Sequence, residues 1–170
     1  MFSTNFYYRL NYQLRNGANV SVFSRYIKDR LLHPFLSHKK KYFAKKHKDY
    51  LKEKKTTTDY FSINAYYWNS IIKKNLKDFT YLEIGSWEGN SALYILKNFD
   101  TKKVICVDIW DMYNDEYQKE HLERYKNFRH NLSEFEQDFS FFKNTSDMFF
   151  KNNKENFDLI YIDGSHEAPQ

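Results

Sequence analysis

A chain of 170 residues can bury one sizeable core and is too short for two full-sized domains. Its single cysteine, Cys106, excludes an internal disulfide and a thiolate zinc cluster, and no apolar run approaches the roughly 18 residues of a membrane span. The net charge of +5 is unevenly spread: residues 1–55 carry 14 Lys/Arg against 3 Asp/Glu, whereas residues 56–170 carry 13 against 19.

A basic helical segment over 1–55 is therefore expected ahead of an acidic domain over 56–170. The first residues lack the order of a secretory leader, which is basic, then apolar, then small. With one cysteine and no span, the chain reads as cytoplasmic. In "VSVFSRYIKDRLL", Val22/Phe23, Tyr26/Ile27 and Leu31 recur with helical period, and Pro34 is expected to interrupt the helix. Beyond it, Phe35/Leu36, Tyr42/Phe43 and Tyr50/Leu51 recur among the lysines of "SHKKKYFAKKHKDYLKEKK", which outlines a basic amphipathic helix. Such a helix either grips nucleic acid or an anionic surface, or packs by its aromatic stripe and leaves its lysines in water. The second is the simpler reading.

"KKTTTDY" is polar, turn-prone and without periodicity, and marks the boundary. "SINAYYWNSIIKKNL" then places Ile63, Tyr66/Tyr67, Ser70/Ile71 and Asn75 at helical spacing. From residue 79 short apolar runs alternate with helical segments. "FTYLEI" (79–84), "KVICVDI" (103–109), "FSFFK" (139–143) and "FDLIYID" (157–163) read as strands. Between them, "NSALYILKNF" turns Ala92, Ile95/Leu96 and Phe99 inward. "EYQKEHLERYKNFRHNL" repeats Leu122, Tyr125, Phe128 and Leu132, and "SDMFFKNNKE" starts at a Ser146 cap. Strict alternation of this kind implies right-handed crossovers and a doubly wound parallel α/β sheet.

Two of only four glycines, Gly85 and Gly89, follow the first strand directly. They can adopt positive φ and bring backbone close to a ligand, and the helix starting near Asn90 offers free N–H groups to a carboxylate or phosphate. Asp108, at the end of the second strand, can accept the two hydroxyls of a ribose. The spacing narrows the nucleoside. Trp87 stands where a dinucleotide fingerprint needs glycine, and Asn90-Ser91 replaces the Lys-Ser/Thr of a phosphate-binding loop, so NAD and nucleoside triphosphates are both disfavoured.

"YLEIGSWEGNSALYIL" resembles motif I of class I S-adenosylmethionine (SAM) dependent methyltransferases, in the form seen in catechol-type O-methyltransferases and the methyltransferase domain 24 group. "VICVDIW", "FFKNTSDMFF" and "LIYIDGSHEAPQ" follow in the family's order, so the resemblance runs from about residue 60 onward. It implies a Rossmann-like sheet of order 3-2-1-4. It also implies that Glu83, Gly85, Ser86, Gly89 and Ser91 surround the methionine part of SAM. Asp108 would hold the ribose, Ile109 the adenine face, and Ser146 and Asp147 the adenine edge. Asp163 would sit beside the sulfonium, orienting the acceptor or binding a divalent metal such as Mg, and His166 would act as general base.

Family members continue beyond the point matching Gln170 with a helix, a fifth strand and an antiparallel pair. The expectation is therefore a truncated reading frame, or a chain completed by a partner or as a homo-oligomer, with the fourth strand as an exposed apolar edge. Methyl transfer to an oxygen of a small molecule or sugar is the leading reading. The alternative is a nucleic-acid-binding or RNA-modifying module that uses residues 37–55.

Overall fold

A four-stranded parallel sheet organises the molecule, in a computed structural model that describes residues 8, 11, 15, 20–110, 118–136 and 138–164. The chain divides into two compact units, Met1–Lys39 and Lys40–Gln170. Helix α1 (Val20–Leu51) contains Pro34, which does not end it as the sequence suggested. A proline removes one N–H donor, and in a helix this long the rest of the ladder persists; Ser37 Oγ also donates to Pro34 O at 2.9 Å.

In the second unit α1 turns Phe43, His47 and Leu51 inward and leaves Tyr42 exposed. His47 packs edge-on against Phe61 and Tyr94. Burial holds its imidazole pKa down to about 4 against the pull of nearby Asp59. A single 3-10 turn (Ser62–Asn64) leads into α2 (Ala65–Asn75). The helix forms where the spacing puts it, with Ile63 and Ile71 pointing to solvent and Phe61, Ala65, Trp68 and Ile72 facing the core. Apolar residues occupy both stripes, and the choice is made by Trp68, which meets Tyr161 at 4.8 Å and Tyr81 at 6.2 Å between ring centroids.

Strand β1 (Phe79–Ile84) leads through a glycine loop to α3 (Asn90–Asn98), then β2 (Thr101–Asp108), α4 (Gln118–Asn131), β3 (Phe139–Lys143), α5 (Ser146–Asn152) and β4 (Leu159–Ile162). The order is β3-β2-β1-β4, all neighbours parallel, as the sequence predicts. One face of the sheet (Tyr81, Val104, Cys106) joins Leu93, Ile95, Phe128 and Leu132 in the main core. The other face (Leu82, Ile84, Ile105, Val107) packs on Phe149 of α5. Ile160 and Ile162 of β4 belong to that second face by register and are exposed, Ile162 by 70%. Because β1 lies between β2 and β4, chain order reverses beside its carboxyl end, which is where an open α/β sheet forms its ligand crevice.

Candidate active site

The loop leaving β1 is built on positive-φ positions. Gly85 (φ +88°) donates its N–H to Val107 O at 2.8 Å, and a Cβ there would lie 2.5 Å from the backbone oxygen of Asp163. Glycine thus lets the ends of β1 and β4 approach. Gly89 N–H donates to Ser86 O at 2.7 Å, closing a tight turn, and Gly89 (φ +83°) is the left-handed N-cap of α3. Between them Trp87 sits at φ 50°, an unfavourable region for a bulky residue. Two hydrogen bonds offset the strain: its N–H donates to Asp108 Oδ2 at 2.7 Å, and its carbonyl accepts from Trp110 Nε1 at 2.7 Å.

Asp108 is fixed from both sides, since Trp110 N–H donates to its Oδ1 at 2.9 Å. Each carboxylate oxygen accepts one backbone N–H and retains a second lone pair. The residue is half-buried and lines a cavity of about 540 Å³ together with Ile109, Trp110, Arg124, Asn144 and Ser146. The geometry is that of a carboxylate held ready for a paired donor such as a ribose diol. Ser146 is not the cap of α5. Thr145 is, its Oγ1 accepting from Met148 N at 3.3 Å, because its extended backbone can turn the hydroxyl back over the first helical turn. Asp147 is exposed and outside the cavity wall.

A second cavity of about 440 Å³ adjoins the first, sharing Gly85, Trp87, Asp163 and Gly164 with it. Thr58, Tyr60, Phe61 and Asn64 form one side. Ser86 and Ser91 lie on the other, Ser86 with its hydroxyl buried beside Glu83 and Cys106. Asp163 stands at the junction and accepts from Tyr161 Oη at 2.8 Å. Burial and that bond raise the Tyr161 pKa, so the phenol stays protonated and donating. Glu83 lies beneath the loop, fully buried, rather than in either wall. Burial pushes its carboxyl pKa up to about 8, opposed by the Ser91 Oγ–H that donates to it and reinforced by the Asp108 and Asp163 charges.

Glu88, also fully buried, ties the two sides of the second cavity together. Its carboxylate accepts from Thr57 N at 2.7 Å and Asn127 Nδ2 at 2.8 Å. Asn131 Nδ2 donates to the carbonyls of Glu88 (3.0 Å) and Lys55 (2.9 Å), and Lys55 N–H donates back to Asn131 Oδ1 at 2.7 Å. Residues 55–58 are thereby latched to the glycine loop and to α4.

The structure brings together Gly85, Ser86, Ser91, Asp108, Ile109, Ser146 and Asp163, with Gly89 capping α3 and Glu83 as support beneath. His166 lies outside the described residues. Among the described residues no group of three or more His, Cys, Asp and Glu could hold a metal ion. The polar fit to a nucleoside ligand is better, resting on the oriented Asp108. Sequence reasoning missed Thr58, Tyr60, Phe61 and Asn64, which sit in and after a stretch that reads only as a boundary. It also missed Glu88, whose role depends on distant α4.

Residues 82–170 match the family model described as a methyltransferase domain. No curated protein matches the chain. Among solved structures the chain is similar to the crystal structure of a "putative RNA methyltransferase" from Pyrococcus horikoshii, with TM-score 0.50 and 17% identity over 75% of this chain. This chain spans 60% of that one's length, and the likeness is one of fold. No helix among the described residues is long and apolar enough to cross a membrane.

Proposed function

The chain belongs to the methyltransferase domain family, and on that premise we propose that it binds SAM across the two cavities and methylates an oxygen of a small molecule or sugar. The observation that carries this reading is Asp108, whose carboxylate two backbone N–H groups aim at the cavity. In this reading Asp108 takes the ribose hydroxyls, Ile109 the adenine face and Ser146 its edge. Gly85, Ser86, Gly89 and Ser91 surround the methionine part. Glu83 supports them from below, keeping Ser91 in place.

The cofactor supplies an activated methyl group on sulfur. The protein's contribution is to hold an acceptor oxygen in line and ready to lose its proton. Asp163, kept in orientation by the Tyr161 phenol, positions the acceptor at the junction, and His166 is assigned as the base. A divalent cation such as Mg at Asp163 is tested by turnover in EDTA.

Calorimetric titration with S-adenosylhomocysteine, with NADH as control, tests the reading. Selective binding weakened at least roughly tenfold by Asp108→Ala is expected, as befits loss of charge-assisted hydrogen bonds. Equal affinity in the variant would sink the ribose assignment, and absence of binding by folded protein would sink the whole reading. A second reading rests on the exposed Lys41, Lys45, Lys46, Lys48 and Lys52 of the basic helix and its continuation, which suit RNA phosphates. It requires RNA retention that falls steeply with salt and is lost when these lysines are neutralised.

A further inference from the structure

Helix α1 carries large apolar side chains on two opposite sides. Phe43, His47 and Leu51 turn inward, His47 against Phe61 and Tyr94. Internal packing does not account for the other side, where Phe35 is 79% exposed and Leu31 and Tyr42 are each 58% exposed. At about 3.6 residues per turn, positions 31, 35, 38 and 42 fall on one line along a helix. With the exposed His38 between them, these side chains form a ridge turned to water. Apolar side chains scattered singly on a surface are ordinary, whereas several on one line mark a contact face.

Lysines flank the ridge. By the same periodicity Lys28, Lys39 and Lys46 run along one side of it and Lys41 and Lys45 along the other, all of them exposed. Each compact unit carries the pattern within its own share of the helix. Leu31 and Phe35 with Lys28 and Lys39 belong to Met1–Lys39, and Tyr42 with Lys41, Lys45 and Lys46 belongs to Lys40–Gln170. The acidic side chain on the line, Asp49, lies a full turn or more beyond Tyr42 and is paired with Lys52 at 2.7 Å.

An apolar ridge between two rows of lysine is complementary to an anionic lipid surface. Leucine and aromatic side chains enter the boundary of the acyl chains, while lysine stems lie along apolar surface and their ammonium groups reach the headgroup phosphates. RNA would meet the same lysines, and its bases would stack on Phe35 and Tyr42, but it would leave Leu31 in water. No helix among the described residues is long and apolar enough to cross a membrane, so α1 would lie on the surface.

We propose that the outward face of α1, with Leu31, Phe35 and Tyr42 as its ridge, docks on the surface of an anionic lipid bilayer. The inference is independent of the methyl-transfer reading. It assigns Lys41, Lys45 and Lys46 to lipid headgroups in place of RNA phosphates.

The test is co-sedimentation of the full chain with vesicles of phosphatidylcholine alone and of phosphatidylcholine mixed with phosphatidylserine, at physiological salt. Binding to the mixed vesicles is expected to be stronger by roughly tenfold or more. Lys41→Gln, Lys45→Gln and Lys46→Gln together should remove most of that difference, each lysine near the surface contributing a factor of about five. Leu31→Ser with Phe35→Ser, both exposed and so without cost to folding, should weaken binding to the mixed vesicles at least roughly tenfold. Phe35→Trp supplies a gain of signal: lipids brominated in their acyl chains should quench its emission beyond that of the unsubstituted protein. Equal binding to both vesicle types, binding to neither, or mixed-vesicle binding untouched by the Leu31 and Phe35 changes would overturn the proposal. So would light scattering showing that the ridge substitutions abolish self-association, because the ridge would then be covered by a second copy.

Discussion

The two cavities that meet at Gly85 and Asp163 are assembled in different ways. The larger is made where consecutive strands end: Asp108 is the last residue of β2, Asn144 and Ser146 follow β3, and short backbone bonds from Trp87 and Trp110 lock the key carboxylate. The smaller borrows one side from residues 58–64, which arrive before the first strand and are held down by Glu88 and Asn131. A site made by strand ends is fixed by the sheet itself. A site made by a strap depends on the clasp that holds the strap.

Substitutions should separate the two halves in order of severity. Gly85→Ala should damage both at once, because its Cβ would lie 2.5 Å from backbone at a φ of +88°. A loss above ~2 kcal/mol in urea unfolding, with S-adenosylhomocysteine binding abolished, is expected. Glu88→Ala should come next. It removes the acceptor of the part-buried Thr57 N–H and Asn127 amide bonds, at a cost of ~1 kcal/mol each. Hydrogen exchange should rise in residues 55–58 well before it rises in β1 or β2. Uniform exchange across the domain would remove the distinction between sheet-built and strap-built halves.

A smaller, pH-dependent effect distinguishes the supports of the two regions. Glu83, under the glycine loop, has a folded pKa raised from 4.5 to about 8 by burial. As pH rises through that window the unfolded chain ionises and the folded one keeps its proton, so stability falls, by up to ~1.4 kcal/mol per pH unit. His47, beneath Phe61, has a folded pKa lowered from 6.5 to about 4 by burial. Between those values the unfolded chain takes a proton that the folded one refuses, so stability rises with pH. The two slopes oppose one another below 6.5 and only the Glu83 slope remains above it. Thermal melts should therefore show little contribution from the pair at pH 5–6.5 and a decline toward pH 8. Glu83→Gln should remove the decline, and His47→Phe should extend it to lower pH. Profiles unchanged by either variant would mean that these groups titrate alike folded and unfolded. Tyr60→Ala should have the least effect on folding, within ~0.5 kcal/mol, since its side chain is exposed.

The same contrast governs what the sequence discloses. Strand ends can be read from apolar runs and from glycines placed beside them, so the four strands, the Gly85–Gly89 loop and Asp108 are legible in the sequence, while the sheet order followed from the family resemblance. The strap was not, because "TTTDYFSIN" has no periodicity of its own and its position is set by Glu88 and Asn131, 31 and 76 residues away from their partners. The inward face of helix α2, which the sequence predicted as a helix, was hidden for a related reason. Apolar residues lie on two of its stripes, and only the rings of Tyr81 and Tyr161 decide that Trp68 turns inward. Pro34 shows that a local breaker gives way when enough of the ladder surrounds it.

The chain contains three tryptophans, and their surroundings divide them by solvent contact. Trp110 is closed off in the core, Trp68 is packed among tyrosine rings, and Trp87, 37% exposed, lines both cavities. Intrinsic emission from this protein therefore carries one solvent-exposed component at the seam of the cleft, Trp87, a buried one, Trp110, that borders the larger cavity, and a third, Trp68, that lines neither cavity. A ligand that crosses the seam changes the polarity around the Trp87 indole and restricts the access of quenchers such as acrylamide. Occupancy of the cleft thereby acquires an optical signal that needs no label.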